Sequence, residues 1–265
     1  MKSVYTGGEK VAEFESYDEF RVGDSKPAFI YEGNELVYPN PVKDGLVLWY
    51  DFSGRTNADA QRGIAEDLSG NGNRGTLQNF NYTSESGYDK NKLLFDGVDD
   101  YIDAPSDMSS HMTTASTVET TVYVVNGVEQ YPRLFSTATG SLGRGGIAIY
   151  LDKYTDTYFQ LTAMVEGNGN IRRGEFDFNK TYHIVHVYTE DFRSILYING
   201  EHIDTIQFTQ KMPISSNAVI GWDKAFINAR YGKEHFNSFK IYNRPLTPEE
   251  IAHNYTIEKE RFSIE

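Results

Sequence analysis

Four aspartates, Asp96, Asp99, Asp100 and Asp103, crowd the stretch Leu93-Leu94-Phe95-Asp96-Gly97-Val98-Asp99-Asp100-Tyr101-Ile102-Asp103. Carboxylates spaced like this can cap a tight turn, hold a hard cation, or work as an acid/base pair. The turn is the first reading. Phe95 and Ile102 read as inward residues of two paired strands, and Asp96 and Asp99 can accept N–H bonds of the turn between them. Calcium held in part by Asp96 and Asp99, or by Asp100, is the second reading. Catalysis is the third, since no complete acid/base pattern accompanies these residues.

A second oxygen-rich stretch is Asp67-Leu68-Ser69-Gly70-Asn71-Gly72-Asn73. Calcium takes six to eight oxygen ligands, and the glycines would let the backbone wrap an ion. Asp67, Asn71 and Asn73 are therefore candidate calcium ligands. The stretch opens like an EF-hand loop but lacks the distant bidentate glutamate and the flanking helices. Asp and Asn also cap turns through their own backbone, which explains the same residues without an ion.

Other groups carry less chemistry. His183 and His186 are three apart in an apparent strand, so they point to opposite faces and share no metal. The chain has no cysteine, which excludes disulfides, thiolate nucleophiles and Cys-ligated zinc. No phosphate-cradling glycine loop is present. For sugar stacking the candidates are Trp222, with Asp223 beside it, and Tyr154 and Tyr158; Tyr131 and Tyr231 also lie in or near loops. Trp49 sits in an alternating strand and reads as core.

The elements that must position these groups are mostly strands. Aromatic and β-branched residues with 23 glycines and only 8 prolines favour sheet over helix. Strand-like runs recur with turn signals between them, and Asn199-Gly200 marks a tight hairpin. This pattern predicts an all-β fold, an antiparallel sandwich or jelly roll. Thr247-Pro248-Glu249-Glu250 sets up a C-terminal helix with an N-cap, Pro at N1 and a capping box; it reads as packing against the sandwich. Before the sandwich comes a small repeat, Val4-Tyr5-Thr6-Gly7-Gly8-Glu9-Lys10-Val11 against Ile30-Tyr31-Glu32-Gly33-Asn34-Glu35-Leu36-Val37, each copy a strand, a glycine turn and a strand. Pro39-Asn40-Pro41 ends it. The expected domains are residues 1–42, a β-hairpin attachment module, and residues 43–265, the jelly roll.

A formal charge of -13 opposes nucleic acid and anionic lipid as partners. No 18-residue apolar run occurs and the N-terminus has no apolar signal region, so the expectation is a soluble chain without a signal peptide.

Several motifs in order resemble a known family. They are residues 45–52, 67–75, 94–102, 181–185 and 196–201, then Phe239-Lys240-Ile241-Tyr242-Asn243-Arg244-Pro245-Leu246 running into the helix. Together they resemble the laminin-G-like, concanavalin A-like jelly-roll superfamily over roughly residues 45–258. The resemblance implies an antiparallel two-sheet jelly-roll sandwich, and carbohydrate or protein binding more often than catalysis. Tyr182 stands where the family often has Trp. Glycan-cleaving members carry Glu-x-Asp-x-Glu or Glu-x-Asp-x-x-Glu on one strand; here Glu175-Phe176-Asp177 is followed by Asn179 and Lys180, so the acid/base is missing. The N-terminal segment resembles short β-modules in tail and baseplate proteins of phages of Gram-positive bacteria.

These readings give an expected function: a non-enzymatic phage virion protein, of the tail or baseplate or a decoration protein. Residues 1–42 would contact other virion proteins, in a homo-oligomer such as a trimer or hexamer. A lectin-like jelly roll would meet host cell-wall glycan, with calcium as the one cofactor. The alternatives are a bacterial carbohydrate-binding adhesion protein and a degenerate glycoside hydrolase.

Overall fold

The computed structural model describes residues 2–6, 9–14, 27–32, 35–112, 115–126, 131–137, 146–153, 155, 157–165, 169–208, 218–223 and 230–265. The chain divides into two compact units, Met1–Val42 and Lys43–Glu265. The first holds two antiparallel pairs, β1 (Lys2–Thr6) with β2 (Glu9–Phe14), and β3 (Ile30–Glu32) with β4 (Glu35–Tyr38). The turn residues Gly7, Gly8, Gly33 and Asn34 lie outside the described residues.

The second unit begins with β5 (Leu46–Asp51), β6 (Ile64–Ala65), β7 (Gly75–Gln78), β8 (Gly87–Asp89), β9 (Lys92–Leu94) and β10 (Tyr101–Asp103). It continues with β11 (Ser116–Val124), β12 (Arg133–Ser136), β13 (Ile147–Lys153), β14 (Tyr158–Val165) and β15 (Gly169–Asp177). It ends with β16 (Lys180–Tyr188), β17 (Arg193–Ile198), β18 (Glu201–Gln207), β19 (Val219–Ile220), β20 (His235–Tyr242) and the helix α1 (Pro248–Phe262). Two antiparallel sheets result. One runs β15-β14-β13-β12-β19-β10-β7-β6; the other runs β18-β17-β16-β11-β20-β9-β8, with β5 also paired to β20. This is the antiparallel sandwich that the strand pattern implies. Its core lies between the sheets, where Leu48, Tyr50, Phe95, Ile102, Val118, Phe135, Leu161, Ile184 and Phe239 are buried.

Asn199 and Gly200 both take positive φ, 51° and 77°, and turn β17 into β18 in the two-residue geometry their types favour. Five strands, β6, β7, β8, β12 and β15, have no counterpart in the sequence reading. Four are two to four residues long, too short to show alternation. The fifth, β15, is an edge strand whose Arg172, Arg173, Gly174 and Glu175 are exposed, so it carries no apolar signal.

One expectation is overturned. The aspartate-rich turn does not join paired strands. β9 pairs with β20 and β8 in one sheet, while β10 pairs with β7 and β19 in the other. Residues 95–100 therefore cross from sheet to sheet. Phe95 and Ile102 both point into the core, but from opposite walls, which is why alternation alone read them as partners.

Candidate functional site

At the crossing, the turn chemistry is visible atom by atom. Asp96 Oδ1 accepts the N–H of Val98 at 2.8 Å and that of Asp99 at 3.4 Å. Asp100 Oδ2 accepts the N–H of Asp96 at 2.9 Å. Gly97 takes φ +78°, and a Cβ there would press on the Lys233 side chain at 3.0 Å. Val98, at the tip, is 69% exposed.

The turn also gathers charge. One carboxylate oxygen from each of Asp96, Asp99 and Asp100 lies within 4.8 Å of the others. Asp100 is fully buried, and its Oδ1 has no hydrogen-bond partner. Burial pushes the Asp100 carboxyl up to about 6; the Ser86 hydroxyl and the Asp96 N–H oppose this, and the charges of Asp96 and Asp99 add to it.

Two neighbouring segments meet this turn. The first follows β19, where Gly221 packs under Phe95 with φ +83°. The second, residues 230–234, is tied to the first by the Gly232 N–H donating to Gly221 O at 2.7 Å. Together they carry a row of half-buried rings. Trp222 stacks on Tyr231 at 5.3 Å between centroids and 7° between planes. Tyr101, the residue after the aspartate turn, lies 4.9 Å from Trp222. Burial raises the Tyr231 hydroxyl pKa, and the nearby Asp99 charge raises it further. The aromatic row and the acidic turn are therefore neighbours.

The second segment also carries Glu234. It is fully buried, and neither carboxylate oxygen has a hydrogen-bond partner. Its Oε2 and the carbonyl oxygen of Arg133 come within 2.6 Å and 3.0 Å of the point where a Cβ on Gly232 would sit. Burial pushes the Glu234 carboxyl up to about 7, and the N–H groups of Glu234 and Lys233 oppose this only in part. Nothing in Gly232-Lys233-Glu234-His235 marks this glutamate; the string reads as a polar turn.

The residues expected to bind calcium or sugar separate. The loop 67–73 precedes β7, while the turn 96–100 precedes its antiparallel partner β10, so the two lie at opposite ends of that pair and cannot share an ion. Asp67 is occupied as a loop clamp. Its Oδ1 accepts the N–H groups of Trp49 and Ser69, and its Oδ2 accepts the Ser69 hydroxyl and the Asn73 N–H. Asn71 and Asn73 donate their side-chain amides to the carbonyls of Leu46 and Val47. These residues tie the loop to β5.

Of the sugar candidates, Trp222 is in the aromatic row. Asp223 is fully buried and receives the Arg133 guanidinium at 2.9 Å, so it faces a protein cation and not solvent. Tyr158 starts β14, three strand positions from β19 and so about 14 Å away across the sheet. Tyr154 lies outside the described residues. The residues that join Trp222 are Tyr231, weighed only as a loop aromatic, and Tyr101, which no local signal singled out. Two surface grooves, of about 410 and 550 Å³, lie elsewhere: one beside Tyr123 and Tyr182, the other beside Ile195 and Pro245.

The hydrolase motif is on the surface. Glu175 and Asp177 are exposed on β15, and Asp177 pairs with Lys180 at 2.9 Å. His186 is buried with Nε2 2.6 Å from Ser194 Oγ, whereas His183 stacks on Tyr255 of α1.

The second unit is a two-sheet antiparallel sandwich closed by one C-terminal helix. The chain belongs to the concanavalin A-like lectin/glucanases superfamily, whose family model matches residues 96–252. Among solved structures it is similar to Trypanosoma rangeli sialidase in complex with sialic acid, at a TM-score of 0.61 and 17% identity, over 82% of this chain and 33% of that one. It is also similar to a mutant of HCR/D, at a TM-score of 0.57 and 14% identity, over 81% of this chain and 53% of that one. The chain thus spans about a third of the sialidase, and at these identities the likeness is one of fold. No curated protein matches the chain. Among the described residues no helix is long and apolar enough to cross a membrane.

Proposed function

We propose that the second unit is a non-enzymatic carbohydrate-binding domain that holds glycan on the rim row Tyr101–Trp222–Tyr231. The observation that carries this reading is the row itself: three contiguous, half-exposed rings beside polar loops. Flat apolar rings with hydrogen-bonding neighbours suit the C–H faces and hydroxyls of a sugar. The exposed, lysine-paired position of Asp177 argues against acid/base catalysis on β15.

The finer reading is a component of a tailed-phage virion facing Gram-positive cell-wall glycan. The separate hairpin unit at residues 1–42 supports an attachment role toward other virion proteins in an oligomeric assembly. Co-sedimentation of the purified chain with Gram-positive cell walls tests the binding half. Saturable binding that Trp222→Ala and Tyr231→Ala remove is expected. Binding that survives both substitutions would place the sugar elsewhere.

A further inference from the structure

We propose that Glu234 is a pH switch for the aromatic row: protonated, it lets residues 230–234 lie closed on Gly221 and β12 with Tyr231 on Trp222; ionised, it loosens that segment and weakens ligand binding on the row. The binding half rests on the carbohydrate reading of the row.

The segment is held at three points. The Arg133 N–H donates to Arg230 O at 3.2 Å, the Gly232 N–H to Gly221 O at 2.7 Å, and the Phe95 N–H to Glu234 O at 3.4 Å. Tyr231 lies between the first two anchors, and Trp222 directly follows Gly221. Opening the Gly232–Gly221 bond therefore parts the stacked rings.

The Glu234 carboxyl is set against these same anchors. Its Oε2, Arg133 O and Gly221 O all come within 3.5 Å of the point where a Cβ on Gly232 would sit. A neutral carboxyl has a proton to donate in such surroundings. A carboxylate only accepts, and one buried beside carbonyl oxygens is costly. The N–H groups of Glu234 and Lys233 ease the charge only in part.

Among the described residues Glu234 makes no ion pair, and the ionisable groups around it are engaged elsewhere. From β12, Arg133 turns its guanidinium to Asp223. On the segment itself, Arg230 lies over Tyr131, Tyr231 stacks on Trp222, and Lys233 runs its stem along Gly97. His235 stacks on Tyr123, and Lys92 of β9 lies over that same ring. On the crossing turn, Asp96, Asp99 and Asp100 carry the same sign as an ionised Glu234. With its carboxyl pushed up to about 7, Glu234 changes charge in the neutral range. Closure of the segment is thus unpenalised below about 4.5, the ordinary value, and opposed increasingly as pH rises to 7.

Amide hydrogen exchange on the full chain, corrected for the intrinsic base-catalysed rate, reads the switch without a ligand. Protection of the Gly232 and Arg133 N–H groups should fall by up to about 70-fold from pH 5 to pH 8. At pH 8 these groups should exchange faster than the β11–β16 core. Asp100, at about 6, titrates in the same window, so Glu234→Gln makes the assignment and should remove the fall. Constant protection in the parent chain overturns the switch, as does a fall that survives Glu234→Gln. Protection equal to that of the core at pH 8 also overturns it, since the segment would then open only with the whole fold.

Co-sedimentation with Gram-positive cell walls at pH 5.5 and pH 8 tests the coupling. The parent chain should bind more tightly at pH 5.5, and Glu234→Gln equally at both. Equal parent binding at the two values overturns the coupling, as does a pH dependence that Glu234→Gln retains. Absence of wall binding at either pH, with the exchange result intact, removes the carbohydrate reading and leaves the segment switch standing.

Discussion

Glu234 illustrates how a single residue can work against the fold that holds it. Its carboxyl is buried, with only its own and the Lys233 N–H groups near enough to ease a charge, and is pushed up to about 7. A carboxyl raised in the folded state favours its neutral form there. Its penalty is absent below the ordinary value near 4.5, grows as pH rises through the window from 4.5 to 7, and is complete above 7. The span corresponds to about 3 kcal/mol. Glu234→Gln should therefore stabilise the protein at pH 8 by up to that amount and change little at pH 4. Urea unfolding at the two pH values checks this; equal effects at both would refute it. Asp67 works the other way. Its four accepted hydrogen bonds clamp residues 67–73 to the start of β5, and Asp67→Ala strands the Trp49, Ser69 and Asn73 N–H groups. A loss of about 2–3 kcal/mol is expected in the same assay.

At the scale of elements, α1 is the informative case. Its N-terminus follows the local signals: Thr247 accepts the Glu250 N–H, Glu250 reaches back to the Thr247 N–H, and Pro248 opens the helix. Its packing does not follow them. The helix lies over the outer face of one sheet and buries Ile251, Asn254 and Glu258 there. Lys240 of β20 donates to Glu119 Oε1 of β11 at 2.8 Å and to Glu258 Oε1 at 2.9 Å. Asn254 donates to Glu119 Oε2, while Thr121 and Ser238 both donate to Glu258 Oε2. Arg261 reaches Asp51 at 2.6 Å, and Trp49 is buried on this face with Lys240 near its ring.

Burial alone would raise the Glu119 and Glu258 carboxyls, but Lys240 together with His183 at Glu119 and with Arg261 at Glu258 outweighs it and holds both below the usual range. A lowered carboxyl contributes stability that is present above its unfolded value and lost as pH falls through the folded one. The protein should therefore lose stability below about pH 4.5, the ordinary glutamate value. Lys240→Met leaves two buried carboxylates without their cation and should cost about 3–5 kcal/mol at pH 7. Its penalty should shrink at pH 3, where the carboxylates can protonate. A penalty independent of pH would mean that Lys240 acts by packing alone.

For the whole molecule, two compact units imply separable roles. A chain of residues 43–265 should fold alone, with its thermal transition close to that of the full chain. In the virion reading, deletion of residues 1–42 should abolish incorporation into particles while cell-wall binding persists. Normal incorporation of the shortened chain would sink that division of labour. Glu175→Gln should leave any activity toward β-glucans unchanged, since the residue is exposed on an edge strand. A β-glucan cleavage that this substitution abolishes would restore the hydrolase reading.

The sequence by itself determined the antiparallel sandwich, the Asn199-Gly200 turn and the capped helix, because each depends on short-range periodicity or on side chains bonding their own backbone. It also exposed the Asp96 turn and pointed to Trp222 as a loop aromatic. Only the tertiary structure decided the rest. Which strands pair is a long-range property, so residues 95–100 read as a hairpin while they cross between sheets. Tyr101 and Tyr231 join Trp222 because three distant segments meet, and no local pattern encodes that meeting. Glu119 and Lys240 are charged strand residues that alternation assigns to solvent; burial beneath α1 joins them to Glu258 of the helix in a packed ionic core, because each carboxylate and the ammonium finds its partner there.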